Sequence, residues 1–167
     1  IKAVIHHSEV GSERYFEVRD PGRTSEVVAR VVLNSSRDVN DAVQSAHDAF
    51  QKWSRLDIKE RSRLLLQAAE AAEEDIPMLT RLLVKENGTV LREIETDFPR
   101  GLRVFKHTLQ KAESFIAPQI MEDKESWMRI EKVPVGVIAV IVPWNSPVNL
   151  TMSKIAPALI MGNTVVI

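Results

Sequence analysis

Between residues 143 and 147 the chain reads Pro143-Trp144-Asn145-Ser146-Pro147. No other segment combines a sharp turn, a large aromatic and an uncharged amide at the mouth of a helix. A carboxamide donates hydrogen bonds without changing charge at any working pH, so Asn145 suits a carbonyl oxygen that gains negative charge during reaction. The same residues have a plainer reading. Trp144 is then a core side chain, and Asn145 or Ser146 caps a helix that Pro147 opens at its first position. Other chemistry-bearing residues are less promising. His6 and His7 are adjacent, cannot share a helix face, and have no carboxylates at a spacing that completes a metal site. Glu70, Glu73, Glu74 and Asp75 read as a solvated helix end. The count of cysteines is zero, which removes disulfides, thiolate metal sites and thiol nucleophiles from these residues.

The elements that must position the 143–147 turn are legible around it. Val135 to Val142 is nearly continuous, apolar and β-branched, which predicts a parallel strand buried on both faces. Val148 to Met161 reads as a helix, and Gly162-Asn163 turns the chain into a second apolar strand at Thr164. Strand, helix and strand with short connections make a βαβ unit of an open, largely parallel α/β sheet. Ligands of such sheets bind outside the carboxyl ends of the strands, where this turn lies.

Upstream, Tyr15–Val18 and Val27–Val32 flank Asp20-Pro21-Gly22, a hairpin signal. Ser35, Ser36 and Asp38 offer caps to a helix with Val39, Ala42, Val43, Ala46, Ala49, Phe50 and Trp53 at helical spacing. Asp57-Ile58-Lys59-Glu60 has the spacing of a capping box and opens a helix to about Glu74. A shorter helix from Ile76 ends at Asn87-Gly88, with Gly88 in the left-handed position. Another helical stretch runs from Val90 to Ile116, with a kink or split expected at Pro99. Ser126 to Val133 alternates as a strand.

Composition bounds the function. Hydrophobic residues make up 44% and charged residues 27%, and 22 Lys plus Arg stand against 23 Asp plus Glu for a net charge of -1. That is a globular composition with no long-range field toward nucleic acid or an anionic membrane, so a small-molecule ligand is favoured. The longest apolar run, Val133 to Pro143, is short of the ~20 residues that span a bilayer. Ile1–Ile5 is broken by Lys2 and is no secretory signal, which leaves a cytoplasmic location as the default.

Pro134-Val135-Gly136-Val137, Ile141-Val142-Pro143-Trp144-Asn145-Ser146-Pro147, Ala156-Pro157-Ala158-Leu159 and Gly162-Asn163-Thr164-Val165-Val166 together resemble the aldehyde dehydrogenase superfamily in order and spacing. Asp20-Pro21, Val27-Val28-Ala29, Ala49-Phe50, Trp53, Arg61, Leu64-Leu65 and Glu86-Asn87-Gly88 extend the resemblance over essentially the whole chain. It implies the N-terminal part of that α/β fold: helices packed on an incomplete, largely parallel Rossmann-like sheet, plus an oligomerisation strand. Residues 1–118 would be the first part of a dinucleotide-binding domain, 119–134 an oligomerisation arm, and 135–167 the start of the Rossmann-like core.

The resemblance implies an NAD- or NADP-dependent oxidation of an aldehyde to a carboxylic acid. A cysteine thiolate forms a thiohemiacetal, hydride leaves to the nicotinamide, and a glutamate-activated water hydrolyses the thioester. By motif position Asn145 is the oxyanion residue, while Ile141, Val142, Pro143 and Trp144 line the cofactor cleft. Lys154, nine residues after Asn145, matches a lysine that assists proton transfer, although an exposed helix charge is its plain alternative. Ser146 and Leu150 fall on the substrate side. An aromatic is common in the family where Ser146 stands, so a bulkier, aromatic or polar-tailed aldehyde is expected.

The arm implies a homo-oligomer, dimer or tetramer. The start on Ile1 and the finish on an apolar strand read as a piece of a longer enzyme. Without a cysteine, this piece is expected to be inactive by itself. Two alternatives share the motifs: a non-catalytic scaffold that keeps the fold, and a dehydrogenase that releases its thioester to coenzyme A.

Overall fold

A computed structural model describes the chain from Ile1 to Ile167. Two antiparallel hairpins come first. The short one joins β1 (Ala3–Ile5) to β2 (Ser8–Val10), with His6 and His7 both at positive φ in its two-residue turn. The longer joins β3 (Tyr15–Asp20) to β4 (Arg23–Val32) across Pro21-Gly22, where the Asp20 carboxylate accepts from the Gly22 and Arg23 N–H groups.

Four helices follow. Ser35 caps α1 (Ser36–Trp53) in a full capping box, its side chain accepting from the Asp38 N–H while Asp38 accepts from the Ser35 N–H. These bonds from Ser35 hold the Asp38 carboxyl below the usual carboxylate range. At α2 (Ile58–Glu74) only half of the expected box forms: Asp57 accepts from the Lys59 N–H at 2.8 Å. Glu60 does not reach back, because Arg63 binds both of its oxygens, at 2.8 and 2.6 Å.

Helix α3 (Ile76–Asn87) ends on Gly88 at φ 75°. A β-carbon there would stand 2.5 Å from the Pro21 ring, so the position needs glycine for space as well as for its dihedral. Helix α4 (Leu91–Ile116) runs unbroken through Pro99, contrary to the expected split. Pro99 and Glu95 lie on the exposed side, so the carbonyl that loses its partner faces water.

Beyond α4, β5 (Gln119–Glu122) pairs antiparallel with β6 (Trp127–Ile130), which is shorter than the strand read from the sequence. The βαβ unit is β7 (Val137–Ala139), α5 (Pro147–Ile160) and β8 (Thr164–Val166), with the two strands parallel. Burial on both faces of the 135–142 run is not observed, since Val135 and Ile141 are exposed. Only β8 flanks β7, and only three residues of the run are strand. Asn163 fastens the unit: its side-chain oxygen accepts from the Val135 and Gly136 N–H groups at 2.7 and 3.1 Å, and its amide donates to the Ala158 carbonyl at 3.1 Å.

The core lies among α2, α4 and α5, where Leu65, Ala69, Leu102, Phe105, Leu109, Ala112, Ala156 and Ile160 are buried together. Burying a side chain of the Leu or Phe class contributes roughly 1.5–3 kcal/mol. The last carbonyls of α5 are met from α1 and α2. Trp53 Nε1 donates to Leu159 at 2.9 Å, and the buried Arg61 donates Nε to Ile160 at 2.9 Å. Burial lowers the Arg61 pKa from its ordinary value. No helix is long and apolar enough to cross a membrane.

Candidate active-site loop

The loop begins where β7 stops pairing. Val140 N–H still donates to Val166 at 2.8 Å, and the next backbone bond is Leu150 N–H to Ser146 at 3.0 Å, in the first turn of α5. Pro143 and Pro147 bracket the interval; neither has an N–H, and Pro147 takes a first-turn position of the helix. Residues 141 to 145 therefore lie outside the ladder and the helix. They sit at the carboxyl end of β7 beside the N-terminus of α5, where the peptide dipoles favour negative charge.

Ile141 is 94% exposed and Trp144 76% exposed, so the reading of Trp144 as a core side chain does not hold. Pro143 and Asn145 are exposed, and Val142 is half-buried. Asn145 thus presents its amide outward and not into the core. Ser146 occupies the cap position of α5, yet its side chain makes no capping bond. Its hydroxyl donates instead to the carboxylate of Asp97 on α4. The other Asp97 oxygen accepts the Asn149 N–H at 3.4 Å, so a neighbouring helix supplies the acceptor that the serine does not.

Ser146, Leu150 and Lys154 recur every four residues and form one slowly turning stripe of α5. Leu150 is half-buried and Lys154 is exposed. Eight residues separate Lys154 from the cap of its helix, a backbone rise of about 12 Å.

Two residues that bear on the loop had not been singled out for it. Asn87, the last residue of α3, donates its amide to the Trp144 carbonyl at 2.7 Å, and its own oxygen accepts from Thr89 Oγ1 at 2.6 Å. Asp97 is the second, only 8% exposed. A signal for it was present in the sequence. It is a carboxylate within the apolar stripe of Ile94, Phe98, Gly101, Leu102 and Phe105, where an ionisable side chain needs a partner. Gly101, one turn on, permits the contact: a β-carbon there would lie 3.1 Å from Asn149 Cα.

Residues 7–167 match the model of the aldehyde dehydrogenase family. The chain belongs to the aldehyde dehydrogenase family. It is 38% identical over 146 residues to an NADP(+) D-glyceraldehyde dehydrogenase of Picrophilus torridus, covering 86% of this chain and 29% of the relative. HpcC from Thermus thermophilus superimposes with a TM-score of 0.89 at 34% identity, over 97% of this chain and 32% of that one. PnpE in complex with nicotinamide adenine dinucleotide superimposes with a TM-score of 0.89 at 31% identity, over 98% of this chain and 34% of that one. This aldehyde dehydrogenase chain therefore spans about a third of the length of its relatives.

Proposed function

We propose that these residues form the loop side of the active site of an NAD(P)-dependent aldehyde dehydrogenase that oxidises an aldehyde to a carboxylic acid. The observation that carries the reading is the outward amide of Asn145, held between the end of β7 and the N-terminus of α5 in a chain of this family. A carbonyl carbon attacked by a nucleophile leaves negative charge on its oxygen. An uncharged N–H donor fixed before the reaction stabilises that oxygen without having to reorganise. The 167 residues contain no cysteine, so a thiolate nucleophile comes from outside them.

NAD or NADP, when bound, supplies the hydride acceptor. Ile141, Val142, Pro143 and Trp144 would line its cleft, and the exposed apolar faces of Ile141 and Trp144 fit a flat ring better than open water. Lys154 would assist proton movement at the far end of its stripe, with Leu150 and Ser146 toward the substrate. A hydroxymethyl group at 146 takes less room than an aromatic ring, so bulkier, aromatic or polar-tailed aldehydes are the proposed substrates.

Residues 1–118 and 135–167 would belong to the dinucleotide-binding domain, and 119–134 to an arm that builds a homo-oligomer. The arm shows Ile120, Met121, Trp127, Met128 and Ile130 all exposed, an apolar surface that solitary hairpins rarely present. The decisive experiment is N145A in the full-length enzyme. Loss of one oxyanion donor lowers kcat by roughly 10²–10³. An N145A enzyme with undiminished kcat and cofactor affinity would falsify the reading.

A further inference from the structure

We infer that Asn87 and Asp97 are positioning residues that clamp the Asn145 loop from both sides. This rests on the oxyanion reading of Asn145. Residues 141 to 145 make no backbone–backbone hydrogen bond, so neither sheet nor helix dictates where the amide stands. Only two hydrogen bonds from elsewhere in the chain reach the loop and its helix cap, and they fall on the immediate neighbours of Asn145. Asn87 Nδ2 holds the Trp144 carbonyl at 2.7 Å, and the Asp97 carboxylate holds the Ser146 hydroxyl.

Each anchor is itself fixed. Asn87 is oriented by Thr89 and ends a helix capped by Gly88, whose α-hydrogen faces the Pro21 ring. Lys85, two residues earlier, pairs with Glu26 of β4 at 2.9 Å, so the longer hairpin braces this end of α3. Asp97 is buried in α4, and its second oxygen takes the Asn149 N–H of α5. The two clamps therefore come from different helices and act on opposite sides of one residue. Pinned neighbours fix where the Asn145 backbone stands and the direction in which its Cα–Cβ bond leaves the loop, and a donor is worth most where its place is set in advance.

The chemistry of the two grips differs. Asn87 grips a backbone carbonyl, so any residue at 144 would be held. Asp97 grips a hydroxyl, so that clamp requires Ser or Thr at 146. The small residue at 146, which leaves room toward the substrate, is on this account also the handle of the second clamp.

The test is a set of double-mutant cycles in the full-length enzyme, with the single-turnover rate and the KM for NAD(P) as readouts. N87A and D97A are each expected to lower the rate about 10- to 100-fold, the scale of a displacement of roughly 1 Å at a catalytic group. KM for the cofactor stays near its original value. Placed in N145A, the same substitutions are expected to lower the rate no further, because the group they position is gone.

If each costs the same factor whether or not the Asn145 amide is present, the clamp is overturned and both residues are merely structural. Full rates in N87A and D97A overturn it as well. If N145A alone retains the full rate, the oxyanion reading falls and takes the clamp with it, so the two failures are distinguishable. Should D97A not fold, S146A removes only the hydroxyl that Asp97 accepts from, and must show the same dependence on Asn145.

Discussion

Replacing Gly101 by alanine sets two effects of opposite sign against each other in the middle of α4. At an open helical position the change gains about 1 kcal/mol, because glycine loses more backbone freedom on folding. At Gly101 the new β-carbon would meet Asn149 Cα at 3.1 Å, Asn149 N at 3.3 Å and Met152 Cγ at 3.3 Å. Carbon atoms prefer separations of about 3.5–4.0 Å, so α5 must retreat by roughly half an ångström. Two of the three atoms are backbone and cannot rotate away.

Overpacking of this kind costs about 1–3 kcal/mol. The balance is a net destabilisation of roughly 1 kcal/mol, read as a lower urea midpoint and faster amide exchange in the first turns of α5. Because Asn149 lies in the first turn of α5, just beyond the loop, kcat should fall as well. A stabilisation of about 1 kcal/mol in G101A would refute the close crossing of α4 and α5.

Three further outcomes are expected. Trp127→Asp places a charge on the exposed face of the β5–β6 hairpin and should lower the mass measured by light scattering, if that face joins subunits; an unchanged mass removes the arm. Ser146→Phe should reduce kcat/KM for bulky aldehydes about tenfold more than for short ones, on the order of a lost pocket contact. The ratio is the readout, since losing the bond to Asp97 affects both substrates. The Asp38 pKa is depressed in the folded chain, chiefly by the Ser35 bonds. Its contribution to stability is therefore complete above the ordinary carboxylate value of 3.8 and is lost as pH falls through the lower folded value. D38N should flatten the pH dependence of stability in that acidic window, and acid titration of the urea midpoint checks it.

Elements governed by local chemistry were readable in advance. The 15–32 hairpin follows from Asp20-Pro21-Gly22, the start of α1 from Ser35 and Asp38, and the end of α3 from Asn87-Gly88. Where a side chain had two possible partners, spacing did not decide. Glu60 could reach its helix cap or Arg63, and a bidentate guanidinium won. Pro99 has the residue type of a helix breaker, but the bond it removes lies on the solvent side.

The strands β1, β2 and β5 were not read, because three or four residues hold too little alternation to register as a pattern. Within the site, the 143–147 turn lies where the strand and helix on either side of it were read, with Asn145 exposed. The helper residues Asn87 and Asp97 lie 58 and 48 residues before Asn145, and such a separation leaves no periodicity to read. Asp97 carries one sign that the sequence reading did not use, a carboxylate set within an apolar stripe.

The Asn163 side chain bears on the order in which the loop takes shape during synthesis. A ribosome releases Asn87 and Asp97 first, then residues 141 to 146, and only later Asn163, whose single side chain ties the base of β7 to the far end of α5. A domain generally folds as a unit. The loop therefore gains its place only once Asn163 has emerged, because that one side chain joins the stems on either side of it.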